Sequence, residues 1–433
     1  MPHDALTLSF AAALVASLAI KLWLAGRQLR HVASHRGAVP PAYAGTVSLA
    51  AHQRAADYTL AKGRFGLLTT AFGSMLLLGW TLLGGLDLLN GALRDALQLR
   101  WGDMAYQLAL LTAFALIGGL LELPFELVST FRIEQRFGFN RTTWRLYATD
   151  TVKGLLVGAL IGLPLAALVL WIMAAAGSTW WLWAWAAWAA FNLLVMVLYP
   201  TVIAPMFNTF KPLADKALEA RVLALMARCG FAAKGLFVMD GSRRSAHGNA
   251  YFTGLGAAKR VVFFDTLLDK LTPGEVEAVL AHELGHFKRR HIRQRIVLMF
   301  GLSLAGLALL GWLSGRSWFY TGLGVQPNLG APNDALALLL FMAVGSLAGF
   351  FVSPLMARLS RRHEFEADAY AGAQASAGDL SSALLKLHED NAATLTPDPL
   401  YVRFYYSHPP ASERLAALAG LPARAAAAAP RSP

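Results

Sequence analysis

Apolar residues in this chain gather into runs long enough to cross a bilayer, which takes about 20 residues of helix. Seven such runs stand out, at about 5–25, 66–89, 106–129, 153–176, 179–206, 292–314 and 335–357. One run of this kind could be a buried core helix. Seven of them, several with tryptophan or tyrosine near an end, predict transmembrane helices with interfacial anchors. The pattern divides the chain into four parts: 1–206 with five spans and basic loops, 207–291 a polar insertion, 292–357 with two more spans, and 358–433 a second polar segment. The first run has no basic segment ahead of it, only Met1-Pro2-His3-Asp4, and its positive charges, Arg27 and Arg30, follow it. It reads as a retained anchor rather than a cleaved signal.

The polar insertion has mixed periodicity. Ala214–Cys229 is helical and ends at Gly230, whereas Leu236–Met239, Asn249–Thr253 and Val261–Phe264 are short β-like runs. Asp240-Gly241-Ser242 and Gly254-Leu255-Gly256 supply turns between them. Thr272-Pro273-Gly274-Glu275 then announces a helix, with an N-cap threonine, a proline at the first helical position and a capping-box glutamate. A small sheet ahead of such a helix can hold an extended peptide along an exposed edge strand, or be a hairpin with no further role. At the far end, Ala425–Pro433 is alanine-rich and closes on Pro-Arg-Ser-Pro, so the chain reads as disordered and dispensable there, from about 421 onward.

Composition agrees with the pattern. With 56% hydrophobic and 15% charged residues and a mean hydropathy of +0.47, the 433-residue chain is no ordinary soluble protein. Lysine and arginine are placed unevenly. The loop after the first run carries Arg27, Arg30, Arg36, Arg54, Lys62 and Arg64, and that after the third Arg132, Arg136, Arg141, Arg145 and Lys153. The intervening loops are neutral or balanced by Asp87, Asp95, Asp103 and Asp334. Positive loops stay in the cytoplasm, so the N-terminus is expected outside and the polar insertion inside. This sidedness accounts for much of the net charge of +12 without a nucleic-acid partner. The lone Cys229 excludes intrachain disulfides and any cysteine-rich zinc site.

The candidate chemistry lies at His282-Glu283-Leu284-Gly285-His286. Residues four apart share a helix face, so His282 and His286 can present two imidazoles to one metal ion, with Glu283 beside them as general base. Such a motif also arises by chance on amphipathic helices. A hydrolytic zinc site needs a third protein ligand. The run from Ser360 to Tyr370 offers His363, Glu364, Glu366 and Asp368. Glu364 and Asp368, four apart, suit one metal ligand and one residue orienting a ligand histidine, and spacing alone leaves His363 as a rival. Further on, Tyr406-Ser407-His408-Pro409-Pro410 places a histidine before two prolines that restrict the backbone, ahead of a helix with Glu413 and Arg414. A fixed histidine could stabilise an oxyanion. Glu122 and Glu126 sit four apart in the third run, at or near membrane depth. Either they face an aqueous interior, or Glu126 marks the boundary.

The ordered set of motifs resembles the Ste24-type CAAX prenyl proteases, integral-membrane zinc metalloproteases of the M48 family. It comprises Ile133–Asn140, Tyr199-Pro200 with Ile203–Asn208, Asn249–Phe252, Phe264–Leu268, the HExxH, Glu364–Ala369 and Tyr406–Pro410. The first two runs match by hydropathy only, and Glu122 and Glu126 depart from the family pattern. The resemblance implies an all-α membrane protein of seven transmembrane helices around a large chamber, with a small α+β zinc-protease insertion on the cytoplasmic side. Carried over residue by residue, His282, His286 and Glu364 would bind one zinc ion, and Glu283 and His408 would be catalytic. Asp368 would lie behind a zinc histidine, and Asn249, Ala250, Tyr251 and Arg414 would meet substrate. The implied substrate is a peptide or protein, prenylated or not at a C-terminal cysteine, met among membrane lipids. A quality-control protease of the HtpX type is the nearest alternative; a non-catalytic scaffold or a transporter leaves the zinc constellation unexplained. The alanine- and arginine-rich composition points to a bacterial inner membrane.

Overall fold

The computed structural model describes residues 2–231, 235–253 and 260–421. The predicted turn at Gly254-Leu255-Gly256 and the tail Ala425–Pro433 lie outside them. The membrane part opens with α1 (Pro2–His35), α2 (Leu49–Trp80), α3 (Gly85–Val128), α4 (Trp144–Ala175) and α5 (Trp180–Leu198), the last continuing through a wide turn into α6 (Ala204–Phe207). Helices α2 and α4 start on side-chain caps: Ser48 accepts from the Ala51 amide and Thr143 from the Leu146 amide.

Six helices among the described residues are long and apolar enough to cross a membrane, and α2 is not one of them. The expected second run, 66–89, is divided by a turn at Thr81–Gly84, where Gly84 has φ +77°, so its last residues belong to α3. The polarity of α2 has a structural reason. Tyr58, Thr59, Lys62, Thr69, Thr70 and Ser74 line a cavity of about 790 Å³, with Ser17, Lys21 and Gln28 of α1 opposite. Its wall continues through residues 391–394 and the tyrosines Tyr401, Tyr405 and Tyr406. A helix lining a wet interior keeps polar side chains and loses average hydropathy for it. Glu122 and Glu126 are exposed on α3 and do not line this cavity.

The polar insertion holds α7 (Lys216–Arg228), α8 (Asp265–Leu268), α9 (Pro273–Lys288) and four strands, β1 (Phe210–Pro212), β2 (Leu236–Met239), β3 (Ala250–Thr253) and β4 (Arg260–Phe264). The sheet order is β1-β2-β4-β3, with β2 and β4 parallel and the outer pairs antiparallel. Strand β3 is thus an edge, registered so that Ala250 faces Phe263 and Tyr251 faces Val262. Its approach is pinned from the membrane side. The Ala246 amide bonds Phe139 O at 3.1 Å, the Arg141 amide bonds Arg244 O at 3.1 Å, and the Arg244 guanidinium clasps Asp150 at 2.8 and 3.0 Å.

Beyond α9 the chain returns through α10 (His291–Leu313), the short α11 (Ser317–Thr321) and α12 (Asp334–Gln374), then α13 (Ala377–Asp390), α14 (Pro399–Tyr405) and α15 (Ala411–Ala419). Helix α12 runs without interruption from the last apolar run into the polar part. Both polar segments share one core, in which Val222 and Leu225 of α7, Phe263 of β4 and Leu280 and Leu284 of α9 meet Ala371 of α12 and Leu380 of α13. Burial of these side chains, about 1.5–3 kcal/mol each for the larger ones, fixes α9 against α12.

Candidate active site

Helix α9 begins as its sequence demands. Thr272 accepts from the Glu275 amide and Glu275 accepts from the Thr272 amide, a complete capping box. The Glu275 carboxylate is buried and also takes hydrogen bonds from Ser382 and from Lys386 of α13, the latter at 2.8 Å. Burial alone would raise its pKa, yet Lys386, Ser382 and the Thr272 amide hold it down to about 2. Two turns later His282 and His286 project from one face. Close approach to α12 depends on Gly285, where a Cβ would lie 3.0 Å from Ala367 Cα.

Across this contact α12 presents Glu364. Its carboxylate faces both imidazoles, with His282 Nε2 to Oε2 at 3.4 Å, His286 Nε2 to Oε1 at 3.4 Å, and the two Nε2 atoms 3.2 Å apart. Ligand atoms bonded at 2.0–2.1 Å to a tetrahedral zinc lie about 3.3 Å from one another, and these three side chains form a triangle of that scale, each imidazole nitrogen meeting a different carboxylate oxygen. Glu364 Oε2 is buried and receives no hydrogen bond, the Arg414 guanidinium standing off at 3.8 Å, an arrangement costly for a carboxylate unless a cation meets it more closely. Among the described residues these three form the one group of histidine, cysteine and acidic side chains so disposed.

Each imidazole is backed by a partner on its other nitrogen. His282 Nδ1 donates to Asp368 Oδ1 at 2.8 Å, and Arg414 grips the same carboxylate at 2.6 and 2.8 Å. Against the burial that would lower it, the hydrogen-bonded Asp368 carboxylate and the Glu364 carboxylate 3.4 Å away push the His282 pKa up to about 9. Arg414, expected to touch substrate, is buried behind His282, its Nε and Nη2 on Asp368 and its Nη1 3.8 Å from Glu364 Oε2. His286 Nδ1 lies 3.0 Å from His291 Nδ1, and His291 Nε2 lies 3.1 Å from Glu366 Oε2. His363 does not join the triangle; it stacks on His291 at 3.9 Å between ring centroids. Sequence reasoning missed His291. The signal was present as a third histidine five residues past the motif, but it falls on the next helix, where α9 spacing does not apply.

Glu283 neighbours the triangle and is half-buried; burial pushes its pKa above the usual carboxylate range, with His282 and His286 opposing and Glu364 adding to the rise. His408 Nε2 comes within 3.4 Å of Glu364 Oε1 from the opposite wall, its Nδ1 2.9 Å from the Ser407 hydroxyl. Asn249 is exposed at the start of β3, the edge strand beside α9, with its side chain bonded to the Ala250 amide.

Comparison with known proteins bears on this arrangement. Residues 28–209 match the family model described as CAAX prenyl protease N-terminal, five membrane helices, and residues 212–421 match that of peptidase family M48. CAAX prenyl protease 1 homolog of Oryza sativa subsp. japonica is 33% identical over 402 residues, covering 90% of this chain and 92% of the relative. CAAX prenyl protease 1 of Saccharomyces cerevisiae is 30% identical over 424 residues, 93% of both chains. The crystal structure of S. mikatae Ste24p superposes with a TM-score of 0.88 at 30% identity, over 95% of this chain and 99% of that one.

Proposed function

This chain belongs to peptidase family M48 and is a multi-pass membrane metalloendopeptidase, and from that premise we propose that it uses one zinc ion, held by His282, His286 and Glu364, to remove the C-terminal tripeptide of prenylated CAAX peptides. The observation that supports the metal assignment is the convergence of two imidazole nitrogens, 3.2 Å apart, on the two oxygens of one carboxylate, each 3.4 Å from one of them, with the buried Oε2 receiving no hydrogen bond. Zinc bound there would lower the pKa of a water to about 7 and polarise the scissile carbonyl.

The protein's own groups do the rest. Asp368 accepts the Nδ1 proton of His282, which leaves the Nε2 lone pair free for the metal. His291, its Nε2 proton given to Glu366, accepts from His286 Nδ1 and fixes that imidazole in the same tautomer. Glu283 takes the proton of the attacking water and returns it to the leaving amine. A carboxylate whose basicity is raised by burial suits that exchange. With the Ser407 hydroxyl donating to Nδ1, His408 offers its Nε2 proton to the oxyanion. The free edge of β3, at Asn249, Ala250 and Tyr251, holds the substrate backbone as an added strand. The basic loops support an active site on the cytoplasmic face with the N-terminus outside, and the composition favours a bacterial inner membrane.

The test is cleavage of a farnesylated CAAX peptide by purified protein in detergent, beside Glu283→Ala. Turnover by the wild type, lost in the mutant while zinc is retained, is the expected result. Stoichiometric zinc without cleavage would move the activity to unprenylated membrane proteins. Absence of both would overturn the assignment.

A further inference from the structure

His408 is a poorly anchored side chain in a position that demands accuracy. Its side chain is 65% exposed, and its polar atoms meet the Ser407 hydroxyl at 2.9 Å and Glu364 Oε1 at 3.4 Å. Such an imidazole is placed by its backbone. On the C-terminal side Pro409 is buried and Pro410 is the cap of α15, and the proline rings fix φ at both positions. On the N-terminal side the hold comes from another helix. Arg361 of α12 donates from Nη1 to Val402 O at 3.1 Å and to Tyr406 O at 2.6 Å, and from Nη2 to Arg403 O at 3.3 Å. One guanidinium thus gathers the carbonyls at the end of α14, the last of them two residues before His408. The Arg361 position lies one turn ahead of Glu364 on the same helix.

We propose that Arg361 is a positioning residue for the reaction. It ties the His408 loop to the turn of α12 that carries Glu364, so that donor and carboxylate keep a fixed separation. This rests on the reading of His408 as the oxyanion donor. Lysine cannot reproduce the hold, because a single ammonium lacks the planar fork that serves three carbonyls at once.

The test compares R361K, H408A and the double variant R361K/H408A in the full-length protein, zinc-loaded in detergent, with the farnesylated peptide as substrate. R361K should lower kcat by about tenfold or more, leaving KM within about twofold and zinc affinity, measured by chelator competition, at the wild-type value. In the H408A background the same substitution should change kcat by less than about twofold, since a residue acting through His408 has nothing left to act upon. Equal losses in both backgrounds, or a parallel loss of zinc, would show a general structural role and overturn the proposal for Arg361 alone. Wild-type kcat in H408A would overturn the oxyanion reading and this proposal with it.

Discussion

Replacing Gly285 by alanine should damage the metal site more than it damages the fold. A Cβ at this position would lie 3.0 Å from both Ala367 Cα and Ala367 O and 3.2 Å from Tyr370 Cβ. Carbon contacts are comfortable at about 3.5–4.0 Å, so α9 and α12 would have to part by roughly 0.5–1 Å. Two of the three obstructing atoms belong to the backbone of a fully buried residue, which cannot step aside as a side-chain end would. Overpacking of this size costs about 1–3 kcal/mol, tolerable for a core of this extent. The site is less forgiving. His282 and His286 ride on α9 and Glu364 on α12, while metal–ligand distances tolerate only about 0.2 Å. G285A should therefore melt a few degrees lower yet lose zinc affinity by about tenfold or more in chelator competition, with kcat reduced by about 100-fold. G274A is the control on the same helix. Its Cβ would meet the carboxylate end of Asp379, which can rotate away, and zinc affinity should stay at the wild-type value. Wild-type zinc affinity and turnover in G285A would refute the claim that this close approach sets the ligand geometry.

Glu275 supplies a pH-dependent prediction. Its pKa is held to about 2, below that of an unfolded glutamate, so its stabilisation is complete above about pH 4.5 and lost as pH falls through about 2. E275Q should lower stability by about 2–3 kcal/mol at pH 7, and the melting curves of mutant and wild type should converge in acid; a gap unchanged at pH 3 would contradict the ionic account. The two histidines near the triangle should separate cleanly. H363A should leave zinc affinity intact, whereas E366A, which removes the partner of His291, should weaken it by about 10- to 100-fold. Zinc loss in H363A would restore that residue as a ligand.

How much of this was legible in the sequence depended on how local each cause was. The capping box at Thr272 and Glu275, the two histidines one turn apart, and the stop at Gly230 are consequences of backbone geometry over a few residues, and each could be read directly. Glu364 and Asp368 were legible as a pair from their spacing, and the family resemblance assigned the tasks that spacing left open; the structure adds that Glu364 faces both imidazoles while Asp368 bonds His282 Nδ1. Other features had little or no local signal. Strand β1 is three residues, Phe210-Lys211-Pro212, too short for any alternation to show, and exists because β2 offers it an antiparallel edge. The turn that cuts the second apolar run did leave a mark, the pair Gly84-Gly85, but it is set among leucines that hide it in an average of hydropathy. Arg361 read as one more basic residue near a membrane boundary, because its acceptors are backbone carbonyls some forty residues on, and a carbonyl leaves no trace in a sequence.

Helix α12 joins things usually kept apart. A single rod spans the apolar run at 335–357 and then delivers Arg361, Glu364 and Asp368. At 1.5 Å per residue, Glu364 stands about 10 Å beyond the end of that run. The cutting point is thereby indexed to the bilayer, as a stylus is to its arm. On the proposed function, a peptide moored to the membrane by a lipid would bring its bonds past at heights set by the mooring, and the rod would select among them by altitude before any side-chain pocket is consulted. Inserting residues into α12 between the apolar run and Arg361 would recalibrate the gauge.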